Sequence, residues 1–182
     1  MITYELAVFI GTIVLIVSIV FGLVFKIGAK KIILISLFIM YLTAVSIVVF
    51  FPIVIQSKVE YVGDTTWYNL IPFKNIASTL EYGLNENAVI QIGGNILLTV
   101  PFGVFVMICL KKADWWKLLV AAISLPIIIE LSQMIIGISI DNMYRNVDID
   151  DFILNTVGVY IGYGLYYVYK RIMDICHTKN QK

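Results

Sequence analysis

The sequence predicts an all-α membrane protein: a bundle of five transmembrane helices with its N-terminus outside and its C-terminus in the cytoplasm. Of the 182 residues, 60% are hydrophobic and 14% are charged, and the mean hydropathy is +0.94. A soluble domain of this length cannot bury so much apolar surface, so much of it must face lipid. Five stretches are each long enough to cross a bilayer, namely residues 6–25, 32–55, 89–110, 118–138 and 151–169. They leave no room for a separate soluble domain, so residues 1–182 are predicted to form one transmembrane domain.

The distribution of lysine and arginine predicts the orientation, because these residues concentrate in cytoplasmic loops. Ten of the 13 fall in three clusters that follow the first, third and fifth spans: Lys26, Lys30, Lys31, Lys111, Lys112, Lys117, Lys170, Arg171, Lys179 and Lys182. Alternate crossing then leaves the acidic loops outside. Because no cation precedes Lys26, we expect the first span to be retained and not cleaved as a signal peptide. The net charge of +1 gives no reason to expect a nucleic-acid partner.

The first two spans carry no charge within their apolar cores, and we expect them to serve as a lipid-facing scaffold. The outer segment 56–87 follows, with a turn signal at Gly63–Asp64 and an aromatic-rich run at 67–73. Tryptophan and tyrosine favour the headgroup layer of a membrane. The run therefore predicts an interfacial loop or a short amphipathic helix, with a ligand lid as the alternative.

The third span contains polar and helix-perturbing residues. Gln91 and Asn95 lie along one side of a helix, and Gly93 and Gly94 are expected to allow close helix approach. Pro101 removes a backbone donor within the span. The pattern fits either a kinked helix held by polar contacts or the wall of a pocket.

The fourth span contains an acidic residue, Glu130, which shares one narrow face with Pro126, Gln133 and Gly137. An ionised carboxylate facing lipid would cost several kcal/mol, so Glu130 is expected to face the bundle. Intramembrane acids are commonly functional. Structural pairing of the carboxylate is the alternative.

The fifth span is preceded by three aspartates, although a single one suffices to cap a helix. One face of the predicted helix carries Asp148, Asp151, Asn155, Gly158 and Gly162. The two glycines have the Gly-x-x-x-Gly spacing of a close-packing seam. Asp150 lies off this face, and we expect it to serve mainly as a helix cap.

These polar residues sit at similar outer depth on three successive spans, so we expect them to converge. The predicted ligand-binding set is Asn95, Glu130, Gln133, Arg145, Asp148, Asp151 and Asn155. Arg145 is the nearest cation that could offset the carboxylates. If a metal is bound, oxygen ligands from Asp148, Asp150 and Asp151 would suit Mg²⁺ or Ca²⁺.

Four blocks in this order resemble the VanZ-like family, small bacterial membrane proteins named from a teicoplanin-resistance determinant. The blocks are Asn69-Leu70-Ile71-Pro72-Phe73; Gly94-Asn95-Ile96-Leu97-Leu98 with Val100-Pro101-Phe102-Gly103; Ile129-Glu130-Leu131-Ser132-Gln133; and Arg145 with Asp148-Ile149-Asp150-Asp151 and Leu154-Asn155-Thr156-Val157-Gly158. The motif-bearing region covers residues 69–162. The resemblance implies residence in the bacterial cytoplasmic membrane and lower susceptibility to teicoplanin-type lipoglycopeptides.

Three functions follow as hypotheses. The leading one is a non-enzymatic protein, in contact with membrane lipid, whose outer polar cavity binds an amphiphile such as a lipoglycopeptide or a lipid-linked cell-wall precursor. The second is a metal-dependent enzyme that modifies a cell-envelope lipid, with Glu130, Asp148 and Asp151 as catalytic residues and Mg²⁺ or Ca²⁺ as cofactor. The third is transport or proton coupling through Glu130. The residues leave the ligand and the oligomeric state open.

Overall fold

The computed structural model describes residues 1–53, 68–81, 83–110, 114–140 and 145–179. Within these ranges the chain is almost entirely helical. The six helices are α1 (Glu5–Val24), α2 (Ala29–Phe50), α3 (Lys74–Glu81), α4 (Glu86–Cys109), α5 (Trp115–Ser139) and α6 (Ile149–Lys179). Two short strands, β1 (Tyr68–Asn69) and β2 (Val147–Asp148), pair in parallel. The turn predicted at Gly63–Asp64 and the start of the aromatic run at Trp67 lie outside the described residues.

Four of the described helices, α1, α2, α4 and α5, are long and apolar enough to cross a membrane. The predicted all-helical class and four of the predicted spans are thereby confirmed. The fifth predicted span lies inside α6, which is long enough to cross but contains many tyrosines and glycines. These residues lower its hydropathy, and α6 is not among the four. The fifth crossing and the orientation of the termini stay predictions.

The chain divides into two compact units. The first contains Met1–Thr65 and Gln133–Arg145, and the second contains Thr66–Ser132 and Asn146–Lys182. Helix α5 contributes its first part to the second unit and its end to the first. The prediction that residues 1–182 form a single domain stays a prediction.

The first unit is built on the antiparallel packing of α1 against α2. Gly11 lies against the side chain of Thr43, and Gly22 lies against the side chain of Ile32. Before α1, Ile2 forms an antiparallel bridge with Ile53, which follows α2. Two backbone hydrogen bonds of 2.9 and 3.0 Å join these two residues. At both glycines, therefore, α1 packs against a side chain of α2.

The second unit is built on α4 and α6, whose backbones meet along a glycine seam formed by Gly103, Gly158 and Gly162. A Cβ atom on Gly158 would overlap the carbonyl oxygen of Ile96, and one on Gly162 would overlap that of Val100. Glycine is needed here because no side chain fits between the two helices. The predicted Gly-x-x-x-Gly seam is therefore confirmed.

The prediction that Gly93 and Gly94 allow close helix approach is wrong. Among the residues that the structure describes, no atom of a neighbouring element lies within 4 Å of a Cβ added at either residue. The helices reach contact distance further along α4, from Ile96 onwards. Gly93 instead ends a π-helical segment, Val89–Gly93, that interrupts the regular α-helical hydrogen bonding of α4.

A buried aromatic residue joins α5 to the same packing. Tyr163 is in the core with Ala122 and Val159, and Phe102 and Leu118 pack around them. The Tyr163 hydroxyl donates a hydrogen bond of 2.9 Å to the carbonyl oxygen of Leu118. Helices α4, α5 and α6 thus share one core within the second unit.

Candidate functional site

The start of α6 is fixed by Asp148, which is 5% exposed. It is the N-cap of this helix: its Oδ1 accepts a hydrogen bond of 3.0 Å from the Asp150 amide. The Nδ2 of Asn69 donates to the same oxygen at 2.8 Å, and the Nδ2 of Asn75 donates to Oδ2. One carboxylate therefore ties together β1, α3 and α6.

Asp150 is more deeply buried, at 1% exposure, and it caps a different helix. Its carboxylate accepts hydrogen bonds from the backbone amides of Phe73, Asn75 and Ile76, the last two at 2.8 and 3.0 Å. These amides belong to the start of α3, where no intrahelical acceptor exists. The sequence predicted a cap but assigned it to the helix that contains Asp150. The pairing of β1 with β2, which brings α3 beside Asp150, is not visible in the local pattern.

Successive turns of α4 and α6 carry matched polar contacts. The Nδ2 of Asn95 donates to Oδ1 of Asp151, and one turn further the Thr99 hydroxyl donates to the backbone oxygen of Asn155 at 2.6 Å. The side-chain oxygen of Asn155 is buried, and within the described residues it receives no hydrogen bond. A buried acceptor without a partner is uncommon and costly. Asn155 therefore marks a point where a donor is missing.

Glu130 connects α5 to the start of α6. Its Oε2 accepts a hydrogen bond of 3.1 Å from the Asp148 amide, and the residue is 9% exposed. The prediction that this carboxylate faces protein is confirmed. The hydrogen bond from the Asp148 amide fits the structural alternative for Glu130. The same position also leaves a buried acidic side chain beside the aspartates at the start of α6.

Two residues of the predicted set, Gln133 and Arg145, belong to the first unit. The Nε2 of Gln133 donates to the carbonyl oxygen of Val49 at 3.2 Å, and the Arg145 guanidinium donates to that of Val48 at 3.1 Å. Both carbonyls lie in the last turn of α2, where a helix leaves its acceptors free. A role for Arg145 in offsetting the carboxylates stays a prediction.

An exposed apolar turn follows β1. Leu70, Ile71 and Phe73 are 66%, 61% and 59% exposed. The Ile71 amide donates to Oδ1 of Asn69 at 3.2 Å, and Phe73 has a positive φ of 65°. Hydrogen bonds to Asn69 and Asp150 thus fix the backbone of this turn. Its apolar side chains are exposed.

The family of the chain is shown by comparing its sequence with models of protein families. A sequence model described as VanZ/LLP1 matches residues 38–170, well over half of the chain. The chain belongs to the VanZ/LLP1 family. Comparison with curated proteins and with solved structures gives no match. In this VanZ/LLP1 chain the match begins within α2 and ends within α6, so it includes every residue of the site and leaves α1 outside.

The three aspartates of this VanZ/LLP1 protein contact different partners, and the metal site that their sequence allowed stays a prediction. In the part of the chain that the structure describes, no group of three or more His, Cys, Asp or Glu side chains is arranged to hold a metal ion. The oxygens of Asp148 and Asp150 accept hydrogen bonds from side-chain and backbone amide groups. Asp151 is bonded to Asn95. Each aspartate thus has its own partner.

Sequence reasoning missed two contributors, Asn69 and Asn75. Both lie in or next to the aromatic-rich segment, which was interpreted from its hydrophobic residues. The available signal was the Asn69-Leu70-Ile71-Pro72-Phe73 block, in which an asparagine precedes an apolar turn. An asparagine before such a turn commonly bonds to backbone or side-chain groups nearby.

Proposed function

We propose that this protein crosses the bacterial cytoplasmic membrane five times, with its N-terminus outside, and binds the polar part of an amphiphile at the outer side. The site is the carboxylate cluster, defined as Asn95, Glu130, Asp148, Asp151 and Asn155. The ligand is a lipoglycopeptide or a lipid-linked cell-wall precursor. By holding it, the protein lowers susceptibility to teicoplanin.

The buried side-chain oxygen of Asn155 carries this proposal. An acceptor that lacks a donor inside protein destabilises the free form, so a ligand that supplies an O–H or N–H group gains affinity there. The cluster also contains the carboxylates of Glu130 and of Asp151, the latter one turn before Asn155 on the same helix. The chemistry favours a ligand rich in hydroxyl, amide or ammonium groups, as the sugar and peptide parts of these two ligand classes are.

The exposed turn at residues 70–73 supports the amphiphilic character of the ligand. Its apolar side chains would lie at headgroup depth if the carboxylate cluster is at the outer boundary. A ligand with a polar head at the cluster could then place its acyl tail beside Leu70 and Phe73.

The function is tested by expression in a susceptible Gram-positive host. Protection against teicoplanin should exceed protection against vancomycin, because only teicoplanin carries an acyl tail that enters the outer leaflet. Asn155→Leu keeps the side-chain size and removes the unsatisfied oxygen. It should leave thermal stability unchanged or higher and reduce protection about fivefold or more, the equivalent of one hydrogen bond.

The matched control is Gly164→Ala, on the same helix, where an added Cβ meets nothing within 4 Å. This variant should protect as well as the unchanged protein. Equal protection against both antibiotics, no protection at all, or full protection by Asn155→Leu would each contradict the proposed function.

The topology is tested separately by cysteine labelling. In a background with Cys109→Ser and Cys176→Ser, single cysteines at Asn87 and Asn142 should react with a membrane-impermeant thiol reagent in intact cells. A cysteine at Ala113 should react only after lysis, because lysine-rich loops are cytoplasmic. Labelling at Ala113 in intact cells would contradict the proposed orientation. It would place the carboxylate cluster at the cytoplasmic side of the membrane.

A further inference from the structure

A cavity lies at the end of the α4–α6 pair away from the carboxylate cluster and has no part in the proposed ligand site. Its volume is about 540 Å³. The lining includes Met107, Ile108 and Leu110 at the end of α4 and Tyr166, Lys170 and Arg171 on α6. One wall is thus apolar and the other carries two cations and an aromatic ring.

The position of this cavity follows from the length of α6. From Asp151 to Lys170 a helix rises about 28 Å, and the hydrocarbon core of a bilayer is about 30 Å thick. If α6 crosses the membrane, the carboxylate cluster and the cavity lie at opposite faces. The cavity is then at the cytoplasmic headgroup level.

The charges of the lining favour an anion. Within the described residues, neither Lys170 nor Arg171 forms a salt bridge. The Nε of Arg171 donates to the Tyr167 hydroxyl at 3.1 Å, and the guanidinium lies 5.4 Å from the centre of the Tyr167 ring. These contacts orient the guanidinium while leaving its other donors available. Asp174 also lines the cavity, so two positive charges and one negative charge leave a net charge that matches one phosphodiester.

We propose that this cavity binds the phosphate of an anionic phospholipid from the cytoplasmic leaflet. Lys170 and Arg171 contact the phosphate, and the first part of the acyl chains packs on Met107, Ile108 and Leu110. A planar guanidinium suits a phosphate geometrically, and aromatic residues such as Tyr166 are common at headgroup depth. The assignment to a leaflet rests on the topology in the proposed function.

The test is lipid retention by the purified full-length protein, measured by native mass spectrometry. The protein is incubated in detergent with equal amounts of phosphatidylglycerol and phosphatidylcholine that carry the same acyl chains. The unchanged protein should retain phosphatidylglycerol preferentially. The double variant Lys170→Gln with Arg171→Gln should lower that retention about tenfold or more, because each cation near a lipid phosphate contributes severalfold in affinity.

Two further variants separate this site from general attraction to anionic lipid. Lys30→Gln with Lys31→Gln removes the same charge from the same predicted membrane side but from the first unit, and it should retain phosphatidylglycerol as the unchanged protein does. Ile108→Trp places a bulky ring in the cavity without changing a charge. It should also lower retention, because the apolar wall is no longer accessible to an acyl chain.

The proposal is overturned if both lipids are retained equally, or if the two double variants lose phosphatidylglycerol to the same extent. Displacement of the lipid by millimolar inorganic phosphate would also overturn it, since the site would then recognise free phosphate. Retention in detergent does not depend on orientation. A failure of the cysteine labelling would therefore refute the proposed topology and leave the lipid result to be judged by itself.

Discussion

The α1–α2 pair and the α4–α6 pair are both apolar and both meet at glycines, but what lies opposite the glycine differs. Gly11 and Gly22 of α1 face side chains, those of Thr43 and Ile32. Gly158 and Gly162 of α6 face backbone atoms of α4. The outer atoms of the Ile32 side chain can rotate to make room, whereas the backbone atoms opposite Gly158 and Gly162 cannot, so the α4–α6 pair is held at close range along its seam.

The polar contacts also differ between the two helix pairs. In α1 and α2, Thr12 and Thr43 donate to carbonyl oxygens of their own helices, at 2.8 and 2.9 Å. In α4 and α6, Asn95 and Thr99 donate to the facing helix. The close approach at the glycine seam brings these short polar side chains within hydrogen-bond reach of the neighbour. The seam therefore determines where the carboxylate cluster can form, and the family match accordingly includes α4 and α6 but not α1.

The largest expected effect on stability tests whether the Asp150 carboxylate caps α3. Asp150→Ala should destabilise the protein by about 3 kcal/mol or more, because three backbone amides at the start of α3 lose a buried acceptor. The thermal unfolding midpoint of purified protein in detergent measures the loss. The control is Asp114→Ala, which removes an exposed ion pair with Lys117 at 2.6 Å and should cost at most about 1 kcal/mol. Similar losses for the two variants would show that Asp150 is not a cap.

A smaller effect compares the two glycine contacts directly. Gly162→Ala places a methyl group against the carbonyl oxygen of Val100 and should cost about 2 kcal/mol, as overpacking of a tight contact does. Gly22→Ala meets only the Ile32 side chain, at its Cγ1 and Cδ1 atoms, which can change rotamer, and should cost about 1 kcal/mol or less. Gly164→Ala, which meets nothing, should be neutral. If Gly22→Ala proves as harmful as Gly162→Ala in thermal unfolding, the proposed difference between the two helix pairs is contradicted.

The sequence predicted the long apolar helices because their signal is local and extends over many residues. Four predicted spans agree with α1, α2, α4 and α5 to within a few residues. The seam at Gly158 and Gly162 was also predictable, since both glycines repeat at helical spacing beside polar residues. The burial of Glu130 followed from the cost of placing a charge in lipid.

The individual partners of the aspartates could not be predicted, because they depend on contacts between distant parts of the chain. The three acidic residues occupy four consecutive positions, yet Asp148 caps α6, Asp150 caps α3 and Asp151 bonds to α4. Which way each side chain points is decided by the pairing of β1 with β2. That pairing joins Asn69 to Asp148 across more than seventy residues. The same limitation explains the error at Gly93 and Gly94: a glycine pair permits close approach, but whether a neighbouring helix lies opposite depends on the tertiary fold, and none of the described residues does so here.

A small change in stability is expected for Glu130→Gln, and this variant tests the central claim that the carboxylate cluster is a ligand site. Glutamine keeps an oxygen that can accept from the Asp148 amide, so the unfolding midpoint should stay within about 1 kcal/mol of the unchanged protein in free energy. Teicoplanin protection should nevertheless be lost, because the ligand meets an amide in place of a carboxylate. Glu130→Leu, which leaves the Asp148 amide without its acceptor, should lose both stability and protection.

The decisive measurement is therefore teicoplanin protection by Glu130→Gln, in cells where the variant reaches the membrane in normal amount. Loss of protection at unchanged stability is the result that the ligand-site account predicts. Full protection at unchanged stability would show that Glu130 is only a buried packing residue, and it would contradict the account.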